Sequence, residues 1–185
     1  NITLFCQDWG GLIGLRLAAK YSDRFEKIVA ANTGLPTGKA PLSEGFAVFR
    51  EFLQIKPDLH VAGQVRNGTT KGIDENALAA YNAPFPDDDH KQGVRQFPNL
   101  VPGTPRTPSA EPNKEAWKIL REWKKPFLCA FSDKDPIFSG VENSFYKLIP
   151  GCKDMPHVTI ENAGHFLQED QPNACVEAIL SIKDI

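Results

Sequence analysis

Four short runs, ITLFC (2–6), EKIVAANT (26–33), KKPFLCAFS (124–132) and HVTIEN (157–162), are apolar along their length instead of alternating with polar residues. A strand of that kind cannot leave one face on water. It requires covering on both sides, which is the situation of a parallel sheet between helices. Segments with apolar residues at helical spacing follow the first run, LIGLRLAAKY (12–21), and the last, CVEAILSI (175–182). The pattern predicts an α/β fold.

The stretch from about Gly34 to Asn113 breaks this rhythm. It holds most of the chain's 15 prolines and helix-like pieces at EGFAVFREFLQ (44–54) and DENALAAYNA (74–83), with no comparable strand signal. It reads as a mainly helical lobe inserted between the second and third strands, over the sheet's carboxyl edge, where α/β folds bind ligands.

Composition narrows the function classes. A formal net charge of −2 over 185 residues, with no basic run, argues against nucleic acid or an anionic membrane as partner. No apolar stretch approaches the ~18 residues needed to span a bilayer, and no charged-then-apolar leader opens the chain. The four cysteines, Cys6, Cys129, Cys152 and Cys175, show no C-x-x-C pairing or regular framework. Reduced thiols and a cytoplasmic location are the expectation.

The first strand ends in CQDWG, and here the chemistry begins. In a nucleophile elbow the reactive residue sits on a strained strand-to-helix turn, with small residues two before and two after it. Cys6, Asp8 and Gly10 fit that form, with Cys for the first Gly and Asp for Ser. The helix start is expected to hold the Asp8 carboxylate ionised; an N-capping Asp with no chemistry is the plain alternative. After the third strand, FSDKDPIF offers Asp133 and Asp135, and after the fourth, AGHFLQED places His165 at a Gly-His turn. Nucleophile, acid, histidine is the chain order of α/β-hydrolases.

Taken together, QDWGG, APFPD, GVRQFP, SDKDPI and AGHFLQED resemble the haloalkane dehalogenases over nearly the whole chain, in particular those whose catalytic acid follows the strand just after the cap. The resemblance implies an α/β-hydrolase core at 1–33 and 119–185 with a helical cap at 34–118. It implies Asp8 as nucleophile, His165 as base and Asp135 as its orienting acid, leaving Asp133 solvated. It assigns the Trp9 indole as halide donor, Phe46, Phe97 and Pro98 as pocket residues near the halide, and Leu100, Val101, Ile137 and Phe138 as an apolar wall. The implied partners are a small halogenated substrate, halide and water, with no cofactor or metal; a monomer is expected. An Asp nucleophile suits this chemistry because its alkyl ester can be hydrolysed by activated water, whereas a Ser ether could not.

Two departures stand out. Phe49 occupies the place of a cap Trp and has no N–H for the halide; losing one such donor costs on the order of 10²–10³ in rate at comparable sites. Phe46 and Phe49, three apart, are expected on one helical face over Asp8 and Trp9. The resemblance also implies four strands upstream of ITLFC, so residues 2–6 are expected to form an unpaired edge and the sequence to be part of a longer enzyme. Epoxide hydrolysis, with Tyr81 as the one cap tyrosine, and a non-catalytic or inactive chain that binds a small apolar ligand remain as alternatives. PDDDH (86–90) lacks the spacing of a metal site and reads as a solvated loop, and His60 and His157 have no matching partners nearby in sequence.

Overall fold

The computed structural model describes residues 1–183. In chain order it contains β1 (Ile2–Gln7), α1 (Trp9–Lys20), β2 (Phe25–Ala31), α2 (Glu44–Ile55), α3 (Val61–Asn67), α4 (Glu75–Asn82), α5 (Gln92–Gln96), α6 (Ala110–Leu120), β3 (Phe127–Ser132), α7 (Glu142–Leu148), β4 (Val158–Ile160), α8 (Leu167–Asp170) and α9 (Pro172–Ser181). The strands form one parallel sheet in the order β1-β2-β3-β4, with Cys6 beside Ala30, Ala30 beside Cys129 and Ala130 beside Val158. Among the described residues no helix is long and apolar enough to cross a membrane.

The two-residue period of a strand sorts the core. Ile28 and Ala30 with Phe127, Cys129 and Phe131 face a layer built from Leu15 and Ala18 of α1, Ala116 and Leu120 of α6, and Phe145 of α7. Val29 and Ala31 with Leu128 and Ala130 face the opposite layer, from Leu167 of α8 to Cys175 and Ala178 of α9. β3 is buried at every position and β2 through its second half, as apolar runs between two helical layers require. β1 lies at the edge, its first residues exposed. The expected lobe boundary at 118 falls inside α6, whose Ala116 and Leu120 share the cluster of Leu15.

The small residues that bring α1 onto the sheet are not the expected pair. A methyl group at Gly10 would meet nothing, whereas one at Gly11 would overlap the Thr33 side chain, and one at Gly14 would press on Leu4 at 3.1 Å. The reason is rotational: Gly11 and Gly14, three apart, share the inner face of α1, and Gly10 points away. His157 has a structural task that its sequence neighbours do not announce. Its Nδ1 accepts the Cys129 N–H at 3.0 Å and its Nε2–H donates to the Cys152 carbonyl at 2.9 Å, so the neutral ring stitches the entry of β4 to β3.

Two outcomes follow. Gly11→Ala is expected to destabilise by about 1–3 kcal/mol through overpacking and Gly10→Ala to stay within about 0.5 kcal/mol, as thermal melts will register. Burial lowers the His157 pKa, partly opposed by its bond to the Cys152 carbonyl. A histidine with a depressed folded pKa stabilises above its unfolded value of about 6.5 and loses that contribution as pH falls through the folded one. Tm of the wild type is therefore expected to drop more steeply below about pH 6.5 than that of His157→Gln.

Candidate active site

All of the polar side chains singled out in the sequence as triad candidates lie where a strand gives way to a turn at one edge of the sheet. Asp8 follows β1 with φ 48° and ψ −121°, a left-handed conformation that costs a non-glycine residue of order 1–3 kcal/mol. Its carboxylate makes no N-cap bond to the first turn of α1, so the N-capping alternative is not what the residue does. The strained turn is held by β2. Asp8 N–H donates to the Asn32 carbonyl at 3.0 Å, and the Thr33 hydroxyl donates to the Asp8 carbonyl at 2.7 Å.

His165 Nδ1 lies 3.0 Å from Oδ2 of Asp135, whose side chain is 1% exposed and whose other oxygen accepts the Ile137 N–H at 2.8 Å. On the far side of the ring, Nε2 lies 3.6 Å from Oδ1 of Asp8. The three side chains thus form a line from a buried carboxylate through the imidazole to a carboxylate one-third exposed. Asp133 does not reach the ring. It is also not simply solvated: one oxygen accepts the Ala163 N–H at 3.2 Å and the other pairs with Lys134 at 2.8 Å.

Burial pushes the Asp8 pKa up, against the pull of His165 and the Trp9 N–H, while the Asp135 charge adds to the rise. The expected effect of the helix start is present but loses to desolvation. Burial of the His165 ring opposes its charging; the hydrogen bond to Asp135 and the charges of Asp8 and Asp135 outweigh it, and the pKa is raised.

A cavity of about 730 Å³ opens beside Asp8. Its wall includes Trp9, Phe46, Val101, Ile137 and Phe138. Four of the residues expected around it are placed otherwise. Phe97 sits at the edge, its ring meeting Trp9 edge-on at 4.8 Å. Phe49, Pro98 and Leu100 lie outside the wall. Phe49 is three residues beyond Phe46, a step that turns a helix by about 60° and carries it about 4.5 Å along the axis, away from the elbow. In the 3₁₀ turn at 97–100, Pro98 is buried and Leu100 is 42% exposed, while Val101 just after it enters the wall. Tyr81 is committed elsewhere, donating to Glu169 at 2.6 Å, and burial with Glu169 pushes its pKa to about 12. It does not line the cavity, so the epoxide alternative loses its hydroxyl donor.

Several positioning residues went unmarked in the sequence. Asn32 is fully buried at φ 36°; its Nδ2 donates to Ser132 Oγ and to the Gly164 and His165 carbonyls, and its Oδ1 accepts the Ser132 N–H. Gln7 Nε2 donates to the His165 carbonyl at 3.0 Å. Asp170 accepts the N–H groups of Thr70, Lys71 and Gly164, which together overcome the effect of burial and lower its pKa. For Asn32 the available signal was its place, a polar residue directly after a buried strand; Gln7 stands next to Asp8, and Asp170, at the end of α8, leaves no such signal.

Comparison with known proteins places this geometry. No family model matches the chain. A haloalkane dehalogenase of Psychrobacter cryohalolentis is 54% identical over 171 residues, covering 92% of this chain and 56% of the relative. One from Mycolicibacterium paratuberculosis is 42% identical over 181 residues, 98% of this chain and 60% of the relative. The structure of a tetrameric haloalkane dehalogenase from Paraglaciecola agarilytica matches with a TM-score of 0.89 at 32% identity, over 100% of this chain and 62% of that one. The chain therefore spans a little over half the length of the curated relatives it matches. Over the part of those enzymes that it spans, the chain resembles the haloalkane dehalogenases and has an α/β-hydrolase fold.

Proposed function

We propose that this chain carries the reacting groups of a hydrolytic haloalkane dehalogenase acting on small apolar halogenated substrates. The observation that supports the reading is the line Asp8, His165, Asp135, at 3.6 and 3.0 Å, with Asp8 opening on a cavity walled by Trp9, Phe46, Ile137 and Phe138. In the first half-reaction an Asp8 oxygen attacks the carbon that bears the halogen, and the carbon–halogen bond breaks with its electron pair to release halide. In the second, water attacks the carbonyl carbon of the ester while His165 Nε2 takes its proton. The tetrahedral adduct collapses, the alcohol leaves with the proton returned from the imidazolium, and the Asp8 carboxyl group left behind gives up the second water proton to solvent, which restores the carboxylate.

Charge and chemistry stay in step. While Asp8 is ionised it helps to hold a proton on His165. Ester formation removes that charge, so the imidazole becomes easier to deprotonate at the stage that needs a base. Asp135 keeps its charge throughout and orients Nδ1.

The departing halide needs N–H donors in an apolar site. Trp9, adjacent to the nucleophile and in the wall, is the proposed one. Trp117 also lines the cavity, but its indole N–H is spent on the Leu35 carbonyl at 2.7 Å. The helices α2 to α5, between β2 and the core helix α6, are proposed as the cap that selects the substrate.

With 1,2-dibromoethane, His165→Ala is expected to accumulate a covalent adduct, read as a mass shift on the peptide containing Asp8. No adduct in a folded variant would overturn the nucleophile assignment. Trp9→Phe is expected to weaken bromide binding roughly 10- to 100-fold, the value of a hydrogen bond to a charged acceptor, whereas Phe49→Trp changes it little because the side chain stands outside the wall. Bromide titration of both variants checks the pair.

A further inference from the structure

Gln7 is the polar side chain beside the triad to which the dehalogenation steps give no task. It ends β1 directly before Asp8, and its Nε2 donates to the backbone carbonyl of His165 at 3.0 Å. A carbonyl oxygen only accepts, so this bond fixes which end of the carboxamide faces the histidine: the NH₂ group, not the oxygen. The same NH₂ group lies 3.4 Å from the imidazole Nε2. It can only donate, so the ring nitrogen it meets has to present a lone pair. At the opposite corner Nδ1 faces the Asp135 carboxylate at 3.0 Å and has to carry the hydrogen. The Asp135 contact asks for a hydrogen on Nδ1 and the Gln7 contact for a bare Nε2, and the neutral Nδ1–H ring meets both.

The charged neighbours pull the other way. Asp8 at 3.6 Å and Asp135 at 3.0 Å favour the imidazolium. Phe138 stacks on the ring at 5.9 Å and Phe166 meets it edge-on at 4.8 Å, and neither carries charge. Asn32, from the end of β2, reaches only the His165 carbonyl. Among the described residues, Gln7 is the one polar side chain at the ring whose contact opposes protonation of Nε2.

We infer that Gln7 is a positioning residue that holds His165 as the neutral Nδ1–H tautomer, keeping Nε2 ready to take a proton from water. The inference rests on the dehalogenase reading for its kinetic consequence, since hydrolysis of the ester, and not its formation, needs a bare Nε2. The role is carried by the NH₂ group, so a carboxylate in its place reverses the effect: it attracts the proton that the amide repels.

Two measurements test it. Ring-nitrogen NMR shifts of His165 in the wild type, followed upward in pH until they stop changing, are expected to show Nδ1 protonated and Nε2 bare in the neutral ring; a proton on Nε2 in that form overturns the inference without reference to any activity. With 1-bromobutane, the halide burst reports ester formation, and decay of the alkyl-enzyme after rapid quenching reports hydrolysis. Gln7→Glu is expected to raise the apparent pKa of the hydrolysis step by about 1–3 units, Gln7→Leu to raise it less, and both to lower the ratio of hydrolysis to ester formation. Profiles that overlay the wild type, or equal losses in both steps that track a lower Tm, overturn the positioning role. A wild type with no halide burst overturns the dehalogenase reading instead, and leaves the tautomer measurement to decide on Gln7.

Discussion

Where four parallel strands run out together, their backbone leaves the ladder and its amides and carbonyls must find partners away from water. Asn32 meets that requirement. From one fully buried position its side chain satisfies the Ser132 amide and hydroxyl and the carbonyls of Gly164 and His165, and its own carbonyl receives the Asp8 N–H. The end of β2 therefore sets the place of the elbow, of the exit of β3 and of the histidine turn at once. Leaving any of these buried groups unpaired costs about 1–3 kcal/mol. Such a network explains how a backbone as strained as that of Asp8 persists: neighbours on β2 over-determine it.

β2 and β3 are legible in the sequence because burial on both faces leaves no polar alternation, β1 and β4 share their apolar runs although the first two residues of each are exposed, and the order of the four fixes which turns share an edge. That is why Asp8, Asp135 and His165 can be assembled on paper from positions far apart in the chain. α1 and α9 are read from their apolar spacing alone, without a side-chain cap bond. α2 and α4 begin with Ser43 and Asp74, whose side chains accept the Phe46 and Ala77 amides, and both are read from sequence. α3, α6 and α7 begin at His60, Ser109 and Val141 with no side-chain cap bond and leave no local signal. What fails is what depends on rotation about an axis or on distant partners. Periodicity puts Phe46 and Phe49 on one face without saying how far along it the cavity reaches, and the elbow pattern points to Gly10 when Gly11 is the position packed on Thr33. Asn32 is an unremarkable residue until Ser132, 100 positions on, comes beside it.

The loop after α3 is joined to the histidine turn through the main chain. Phe166 N–H donates to the Gly68 carbonyl at 3.2 Å, the Thr70 hydroxyl donates to the Asn162 carbonyl at 2.8 Å, and Asp170 gathers the amides of Thr70, Lys71 and Gly164. The approach is so close that a side chain on Gly164 would strike the Gly68 carbonyl. Segments bonded in this way open cooperatively or not at all. The amides of Thr70, Lys71, Gly164 and Phe166 accordingly belong to one hydrogen-exchange unit although some 90 residues separate the two stretches, and α4 is tied to the same turn by the Tyr81 bond to Glu169. Opening of the helical segment on that side is therefore felt at the turn that carries the imidazole.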